Sequence, residues 1–585
     1  MALSAAGLEL EVVGREITGR PVPGRTHRSY GSYLLGLPAL VLTSLLLVPM
    51  LVTTIEAFWT PDGFGVANFA VLGEPAVLLA IGHTIAWIGV ATALVALGLG
   101  IALAGHRESA LWSFLQPALI VPFAVSALVS GAAFRIIFDP APERGTISAI
   151  FGDGAVWLGP GLFWVVLVSA FSWTWLGFAV ALFRAGLDSI PDDLIRTVNA
   201  EGLRGWRRLR AVELPILRPI SGIVTLILVV ATVRLFDLVL IAVPDPMQDD
   251  ADVLTLRWWR VTNATDDHGR PAVLALVLFV IVAVVALTGM RGLRRSWAMP
   301  SSAVPPATQR PRARVRPIRR RLGLSMAVSL SVIWLFPAAV LIITAFHDPN
   351  AAGLRGWWSS DGLGLGSFVA ASNAGLWQAL FSTVLVAGLA AVLVLVISVP
   401  TAYVLAWGGL PQWLGKAAIT VFVLLAVTPL PMYAEPLRAA FTSLGISGSR
   451  MSLALVHAAA GLPFGVLLLR AAFASASPSL VSEALLGQLR QSEVINQVRQ
   501  TYRPVLVAVA ILEFVLVWND FVVGFLIVGP GSTPLSLVMW GEARQFATSA
   551  GTVAAAAVVS SIVPVVLLWR FWPTVVRGLT VGTKP

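Results

Sequence analysis

Long apolar segments make up most of this chain and limit what it can fold into. We count twelve, each long enough to cross the hydrocarbon core of a bilayer as a helix. Only 12% of the residues are charged, whereas a soluble domain carries about 25%. We therefore predict an all-α integral membrane protein, although counts of eleven or thirteen spans stay open. The predicted spans are 33–55, 78–104, 112–136, 162–185, 219–243, 272–293, 323–346, 377–405, 416–437, 452–470, 504–528 and 549–572.

Arginine-rich segments set the predicted topology. Residues 291–321, between the sixth and seventh spans, hold ten arginines and no acidic residue. Because basic loops stay on the cytoplasmic side, we expect this segment to be a flexible cytoplasmic linker. All twelve spans then thread consistently with both termini in the cytoplasm. The predicted division is a cytoplasmic tail at 1–32, a first half at 33–293, a linker at 294–322 and a second half at 323–585.

A charged block at 186–219 interrupts the apolar pattern between spans four and five, and a weaker copy recurs at 470–504. An LxRA sequence precedes each block, and an Arg-Pro pair closes each, at Arg218-Pro219 and Arg503-Pro504. Internal repeats in membrane proteins usually build a pseudo-symmetric pathway between the repeats. Since both halves have six spans and the same orientation, we expect the symmetry axis to run along the membrane normal.

The first block, SIPDDLIRTVNAEGLRGWRRLRAVELPILRP, contains an acidic-Gly pair at Glu201-Gly202 and ends in Val212, Leu214 and Pro215. It resembles the cytoplasmic "EAA" loop of permeases of binding-protein-dependent ABC importers. Glycine permits a tight turn, and proline suits the first turn of a helix. The resemblance implies a short helix that docks on an ATPase subunit. The residues it assigns to this coupling role are Ala200, Glu201, Gly202, Leu203, Arg204, Leu214, Pro215, Glu483, Ala484 and Gly487.

The two blocks depart from the family pattern in different ways. In the first, Arg196 stands where the family has its leading glutamate. In the second, counting from Pro478 places Glu483-Ala484 in the motif, whereas counting back from Pro504 places Gly487 there. The second block is two residues shorter, so both alignments cannot hold. We therefore expect an altered coupling helix in the second half.

Further resemblances narrow the family. VWNDF at 517–521 and VVRGLTVGTKP at 575–585 resemble the second permease subunit of maltose-type sugar importers. FDLV at 236–239 and the segment 67–87 resemble the first subunit. The resemblance implies a natural fusion of two carbohydrate-permease subunits with the type I ABC importer fold, in a bacterial plasma membrane. It also implies two ABC ATPase subunits and an extracytoplasmic solute-binding protein as partners.

Ionisable and aromatic side chains within the predicted spans are the candidates for the substrate path, since charges inside a membrane are costly. Arg234 and Asp237 are three residues apart, so a helix would place them on one face as an ion pair. Such a pair could be purely structural or could line the path, and tryptophans are more often interfacial anchors than sugar platforms. The candidates are Arg234, Asp237, Tyr433, Glu435, Glu513, Trp518, Asn519 and Asp520.

The sequence carries no enzyme signature. GGLPQWLGKA at 408–417 departs from the phosphate-loop spacing and lacks its Ser/Thr. The chain has no cysteine, and its histidines show no metal-ligand spacing. We therefore expect no catalytic, cofactor or metal site, with ATP and magnesium bound by the partner ATPase, and contacts to lipid but not to nucleic acid. The alternatives are a fused permease for ferric ion, thiamine or phosphate, and a gradient-driven carrier with six-plus-six topology.

Overall fold

The computed structural model describes residues 34–296 and 317–580, except for 106–108, 153, 189, 191, 204, 266, 408–409, 475–501, 528–532 and 545. Helices dominate this part, beside a two-residue hairpin of β1 (Trp59–Thr60) and β2 (Gly63–Phe64). The all-α membrane fold predicted from the sequence is confirmed. Residues 1–32, most of the predicted linker and the last five residues lie outside the described part.

Twelve α-helices make up the described first half. They are α1 (Leu37–Phe58), α2 (Pro75–Gly105), α3 (Ser109–Ile120), α4 (Ala127–Ile137), α5 (Thr146–Phe151), α6 (Phe163–Asp188), α7 (Asp192–Ala200), α8 (Trp206–Arg208), α9 (Leu214–Val233), α10 (Phe236–Ala242), α11 (Leu254–Ala264) and α12 (Gly269–Ser296).

The second half repeats this order with its own helices. They are α13 (Pro317–Ala345), α14 (Pro349–Ala352), α15 (Gly366–Asn373), α16 (Leu376–Trp407), α17 (Gln412–Ala426), α18 (Ala434–Ser443), α19 (Arg450–Ala474), α20 (Arg503–Trp518), α21 (Val522–Ile527), α22 (Leu535–Ala543) and α23 (Phe546–Thr580). Helices α12 and α13 extend a few residues into the predicted linker.

Eight helices of the described residues are long and apolar enough to cross a membrane, and two sharply bent pairs raise that number to ten. The bent pairs are Leu115–Ala124 with Ala127–Ile137, at 106°, and Trp206–Arg218 with Ile220–Val233, at 58°. The two other predicted spans correspond to α17–α18 and α20–α21, whose separate helices are too short for this test. By length and composition the structure therefore supports eight to ten spans, and twelve stays a prediction.

Proline explains the breaks in spans three and nine. A 3₁₀ turn at Val121–Ala124 contains Pro122, and a 3₁₀ turn at Leu430–Met432 contains Pro431 and follows Pro429. Proline lacks the N–H that continues an α-helix, so the chain changes direction there. Corresponding spans in the two halves are thus interrupted in the same way.

Equivalent hydrogen bonds support the internal repeat. The Leu254 N–H donates to Thr84 Oγ1 at 3.0 Å, and the Leu535 N–H donates to Thr383 Oγ1 at 2.9 Å. One residue further along, Thr255 Oγ1 and Ser536 Oγ donate to backbone carbonyls at the breaks that follow α9 and α20. Each hydroxyl–backbone pair ties the helix after a broken span to the second or fifth span of its own half.

The spacing from the Arg-Pro pairs gives the same alignment of the halves. Helix α9 ends at Val233, 14 residues after Pro219, and α20 ends at Trp518, 14 residues after Pro504. Phe236 and Phe521 then occupy equivalent positions, and their rings stack with centroids 6.4 Å apart. Equivalent residues meeting face to face indicate that the local symmetry axis passes between them.

The first helix of each half packs against the other half. Helix α1 contacts α18 and α19, whereas α13 contacts α3 and α4. The loops that follow α4 and α13 also meet, since the Gly356 N–H donates to the Glu143 carbonyl at 2.6 Å and Trp357 Nε1 donates to Thr146 Oγ1 at 2.9 Å. The halves are therefore intertwined rather than merely adjacent.

Candidate functional site

The first charged block begins with α7 and turns sharply after it. The Gly202 N–H donates to the Asn199 carbonyl, and the Leu203 N–H donates to the Val198 carbonyl. Gly202 has a φ of +80°, in the left-handed region that favours glycine at the end of a helix. A Cβ there would meet nothing within 4 Å. The predicted tight turn is present, but backbone conformation rather than a clash with a neighbour explains the glycine.

The short helix α8 comes next, and the chain continues through a π-helical turn at Leu209–Glu213 into α9. Arg208 Nε donates to Glu213 Oε1 at 2.8 Å, which clamps that turn. Trp206 at its start is 68% exposed. A π turn is uncommon and often occurs at functional positions. The segment therefore presents an exposed aromatic ring beside a turn that an ion pair holds.

The end of the motif lies in the first turn of α9, where Leu214 and Pro215 are half-buried. Ala200 and Glu201 are exposed, and Leu203 is half-buried. Arg204 lies outside the described residues, as do Glu483, Ala484 and Gly487 of the second block. The described coupling candidates therefore share one surface between α7 and α9.

A small cavity of about 40 Å³ lies between the two halves. It is lined by the ends of α9 and α17 and by residues that follow α20, together with Tyr433, Thr255 and Thr428. Arg234 of the first half is 3.7 Å from Asp520 of the second half across this cavity, with side chains 48% and 5% exposed. The volume suffices for about one water molecule but not for a sugar ring. The arrangement is a narrow contact between the halves with polar groups at its centre.

The predicted pairing of Arg234 with Asp237 is wrong. Helix α9 ends at Val233 and α10 begins at Phe236, so the two residues do not share one helix. Asp237 instead is buried and accepts a hydrogen bond from the Leu238 N–H at 3.0 Å. The break releases Arg234 toward the second half, where it meets Asp520.

Asn519 and Asp520 hold the equivalent break in the second half. Asn519 Nδ2 donates to the Ala124 carbonyl at 3.0 Å, and so contacts the broken third span of the first half. Asp520 Oδ2 accepts from the Val523 N–H at 2.8 Å at the start of α21. These bonds satisfy backbone groups that the breaks expose within the membrane.

Glu513 is buried on α20 and faces α19. A Cβ at Gly461 would lie 2.1 Å from Glu513 Oε1, so the carboxyl group occupies the space above this glycine. Ala460, next to Gly461, lines the central cavity. Glu513 itself is not among the residues that line this cavity, and a glycine on α19 makes room for its carboxyl group.

The remaining candidates lie in three different places. Tyr433 is buried and lines the central cavity. Trp518 is buried within the second half, where its Nε1 donates to the Ser560 carbonyl at 2.8 Å. Glu435 lines a separate cavity and accepts a hydrogen bond from Arg438 Nη2 at 3.3 Å. Tyr433, Arg234 and Asp520 are thus brought together, whereas Trp518 and Glu435 are not.

Comparisons with known proteins identify the family to which the chain is similar. Residues 95–294 match the family described as "Binding-protein-dependent transport system inner membrane component". The chain is 31% identical over 225 residues to the sn-glycerol-3-phosphate transport system permease protein UgpA of Agrobacterium fabrum, covering 34% of this chain and 75% of the relative. The chain belongs to this family.

Two further proteins resemble the permease at lower sequence identity. The arabinooligosaccharides transport system permease protein AraP of Bacillus subtilis is 24% identical over 237 residues, covering 39% of this chain and 75% of that protein. A crystal structure of a bacterial ABC transporter involved in the import of the acidic polysaccharide alginate matches with 18% identity and a TM-score of 0.40. It covers 46% of this chain and 96% of that one.

Sequence reasoning missed the hydroxyl groups that line the central cavity of the permease, those of Thr255 and Thr428. One signal was present, because LTL at 254–256 repeats as LSL at 535–537 in the second half. Thr428 has no such signal, since it comes to the cavity only through the proline-induced turn that follows. Within the described part, no group of three metal-ligating side chains could hold a metal ion.

Proposed function

We propose that this permease is the translocation subunit of an ATP-driven ABC importer for a carbohydrate, that is, a sugar, an oligosaccharide or a polyol. The main support is the left-handed turn at Gly202 between α7 and α9, in a chain that belongs to the binding-protein-dependent family. The arabinooligosaccharide relative and the resemblance of VWNDF to maltose-type permeases support carbohydrate as the solute class.

The single chain would supply both permease halves. The equivalent breaks, the paired threonine hydrogen bonds and the packing of α1 and α13 against the opposite halves support a fusion of two related subunits. The family match covers the first half only, so the second half rests on this internal repeat. Each half would contribute one wall of the path, with Arg234 and Asp520 at their contact.

The mechanism we propose is alternating access. A loaded solute-binding protein docks on the outer loops while two ATPase subunits, which bind ATP and magnesium, close on the cytoplasmic side. The turn at Gly202 transmits that closure through the bent α9 to the break at Arg234. Opening of the central contact would then expose the path to one side at a time. The setting is a bacterial plasma membrane with both termini cytoplasmic.

Co-purification tests this proposal. The intact chain, expressed with its native ATPase genes and solubilised mildly, should retain an ATPase subunit. Trp206→Asp should weaken that retention at least about tenfold, because an exposed aromatic ring at an interface is a typical binding hot spot. Trp358→Asp is the matched control, since Trp358 is also exposed but lies between α14 and α15, on the side that the predicted topology makes the outer one.

A gradient-driven carrier would retain no ATPase in either variant, and membership of the family already argues against that class. Loss of the ATPase from the Trp358 control as well would mean that Trp206→Asp acts through misfolding. In that case the assignment of the docking surface fails.

A further inference from the structure

A second cavity lies beyond the central one and carries several acidic side chains. It has a volume of about 20 Å³ and is lined by residues of both halves, among them Glu56, Asp267 and Glu435. Helices α1 and α11 and the turn at Leu430–Met432 line both cavities. Along α11, Thr255 of the central cavity and Thr262 of the second are about 10 Å apart. The two cavities thus form successive parts of one route between the halves.

The second cavity lies on the side away from the coupling segment. Helix α9 begins next to that segment and its C-terminal end lines the central cavity, but no residue of α9 lines the second one. With the predicted topology, the second cavity is therefore the outer one. A solute released by a binding protein would pass it before it reached Arg234.

Most of the charged side chains that line this route are acidic. Four carboxylate residues line the two cavities, namely Glu56, Asp267, Glu435 and Asp520. Arg234 is the one arginine or lysine among the described lining residues, and Asp520 is its ion-pair partner. Arg234 pairs with Asp520, and Arg438 pairs with Glu435. Glu56 and Asp267 then leave the lining with a net negative charge while His268, which also lines the outer cavity, is neutral.

Anions and neutral sugars differ in what they need from such a lining. Phosphate and carboxylate groups are bound by arginine, lysine and backbone N–H donors. Sugar hydroxyls, by contrast, can donate to carboxylate and threonine oxygens. A dianion that entered this route would lose water and meet like charges in a poorly solvated space. The lining suits an uncharged polyhydroxylated solute.

We propose that this acid-lined route excludes anionic solutes, so that the permease carries an uncharged carbohydrate rather than a phosphorylated or acidic one. This inference rests on the proposed carbohydrate function and narrows it. It sets the chain apart from the glycerol-3-phosphate permeases that share 31% of its residues over the matched region. This exclusion of anions is a property of the permease itself. It acts in addition to the selectivity of the solute-binding protein.

The natural absence of cysteine permits a direct test of the charge. Single-cysteine variants are Thr262→Cys in the outer cavity and Thr428→Cys in the central one. Ser443→Cys, at the exposed end of α18, is the control. Each reacts, in membranes with the complete transporter turning over, with methanethiosulfonates of similar size that carry a trimethylammonium or a sulfonate group.

At Thr262→Cys and Thr428→Cys, the ratio of the cationic to the anionic reaction rate should exceed that of the control at least about tenfold, because a cleft lined by one sign of charge concentrates counter-ions. Adding Glu56→Gln and Asp267→Asn to Thr262→Cys should bring the ratio back toward the control, and Glu435 stays in place because Arg438 is its ion-pair partner. Equal ratios at all three positions would overturn the proposal. So would a lack of reaction with either reagent at both cavity positions, since no route would then open.

Uptake separates this inference from the proposed function. ATP-driven uptake of a neutral oligosaccharide, without uptake of glycerol-3-phosphate, would support both. Comparable uptake of glycerol-3-phosphate would overturn the charge inference and leave ATP-driven import intact. If no carbohydrate is taken up, the proposed function fails, while the ratio of thiol reaction rates still decides the charge of the route.

Discussion

At the scale of single residues, the backbone conformation at position 202 explains why a glycine stands there. The left-handed region costs other L-residues roughly 1–2 kcal/mol, while open space surrounds the position itself. A substitution there changes the direction of the chain between α7 and α8 without disturbing packing. The turn could be predicted from the sequence because Glu201-Gly202 and the later Leu214-Pro215 both match the family motif.

We expect Gly202→Leu to uncouple ATP hydrolysis from transport, with uptake falling at least about tenfold while ATPase activity persists. The reoriented turn would no longer pass movement of the ATPase to α9. Gly415→Leu is the matched control, since that glycine also has open space for a Cβ but lacks the left-handed backbone. Uptake and ATP hydrolysis are measured on the same vesicles, and unchanged uptake in Gly202→Leu would refute the coupling role.

Gly461 makes room for the Glu513 side chain. This contact could not be predicted from the sequence. Gly461→Ala should destabilise the permease by about 1–3 kcal/mol, because a Cβ would overlap the Glu513 carboxyl group. Adding Glu513→Ala should restore much of the loss. The midpoint of thermal unfolding in detergent reports this, with Gly388→Ala as a control that meets nothing within 4 Å. Equal midpoints for Gly461→Ala and Gly388→Ala would contradict the contact.

At the scale of elements, broken spans organise the site. Prolines made the breaks of spans three and nine predictable, at Pro122 and at Pro429 with Pro431. The breaks after Val233 and Trp518 contain no proline, so an uninterrupted helix was expected there. The pairing of Arg234 with Asp237 followed from that expectation and failed with it. Tertiary hydrogen bonds to Thr255 and Ser536, which no local pattern reveals, hold these breaks.

The equivalent threonines give a prediction for both halves. Thr84→Val and Thr383→Val should each cost about 1–3 kcal/mol, because each leaves a buried backbone N–H, of Leu254 or Leu535, without its acceptor. Thr92→Val should cost much less, since the Thr92 hydroxyl is exposed and bonds only within its own helix. Thermal unfolding compares the three variants. A large loss in one half alone would contradict the equivalence of the halves.

At the scale of the whole molecule, the internal repeat could be predicted from the sequence. The packing of the first helix of each half against the other half could not. The LxRA and Arg-Pro sequences align the halves correctly, as the equal spacing to the ends of α9 and α20 shows. Contacts of α1 with α19 and of α13 with α3 join segments hundreds of residues apart. Periodicity and composition are local signals, so they cannot specify which apolar face meets which.

This packing has a consequence for function. Because the first helix of each half also packs against the other half, we expect the path to open by rotation about these contacts rather than by separation of the halves. The breaks at Arg234 and Asp520 meet where such a rotation would part the central contact.

Energy coupling to solute uptake is the central claim, and reconstituted vesicles test it most directly. The complete transporter, with its ATPase and its loaded solute-binding protein, is placed in proteoliposomes, and entry of a radiolabelled neutral oligosaccharide is followed with ATP or with a non-hydrolysable analogue. We predict uptake with ATP only, unaffected by collapse of proton and sodium gradients. Uptake that persists without ATP hydrolysis and disappears when those gradients collapse would contradict the account.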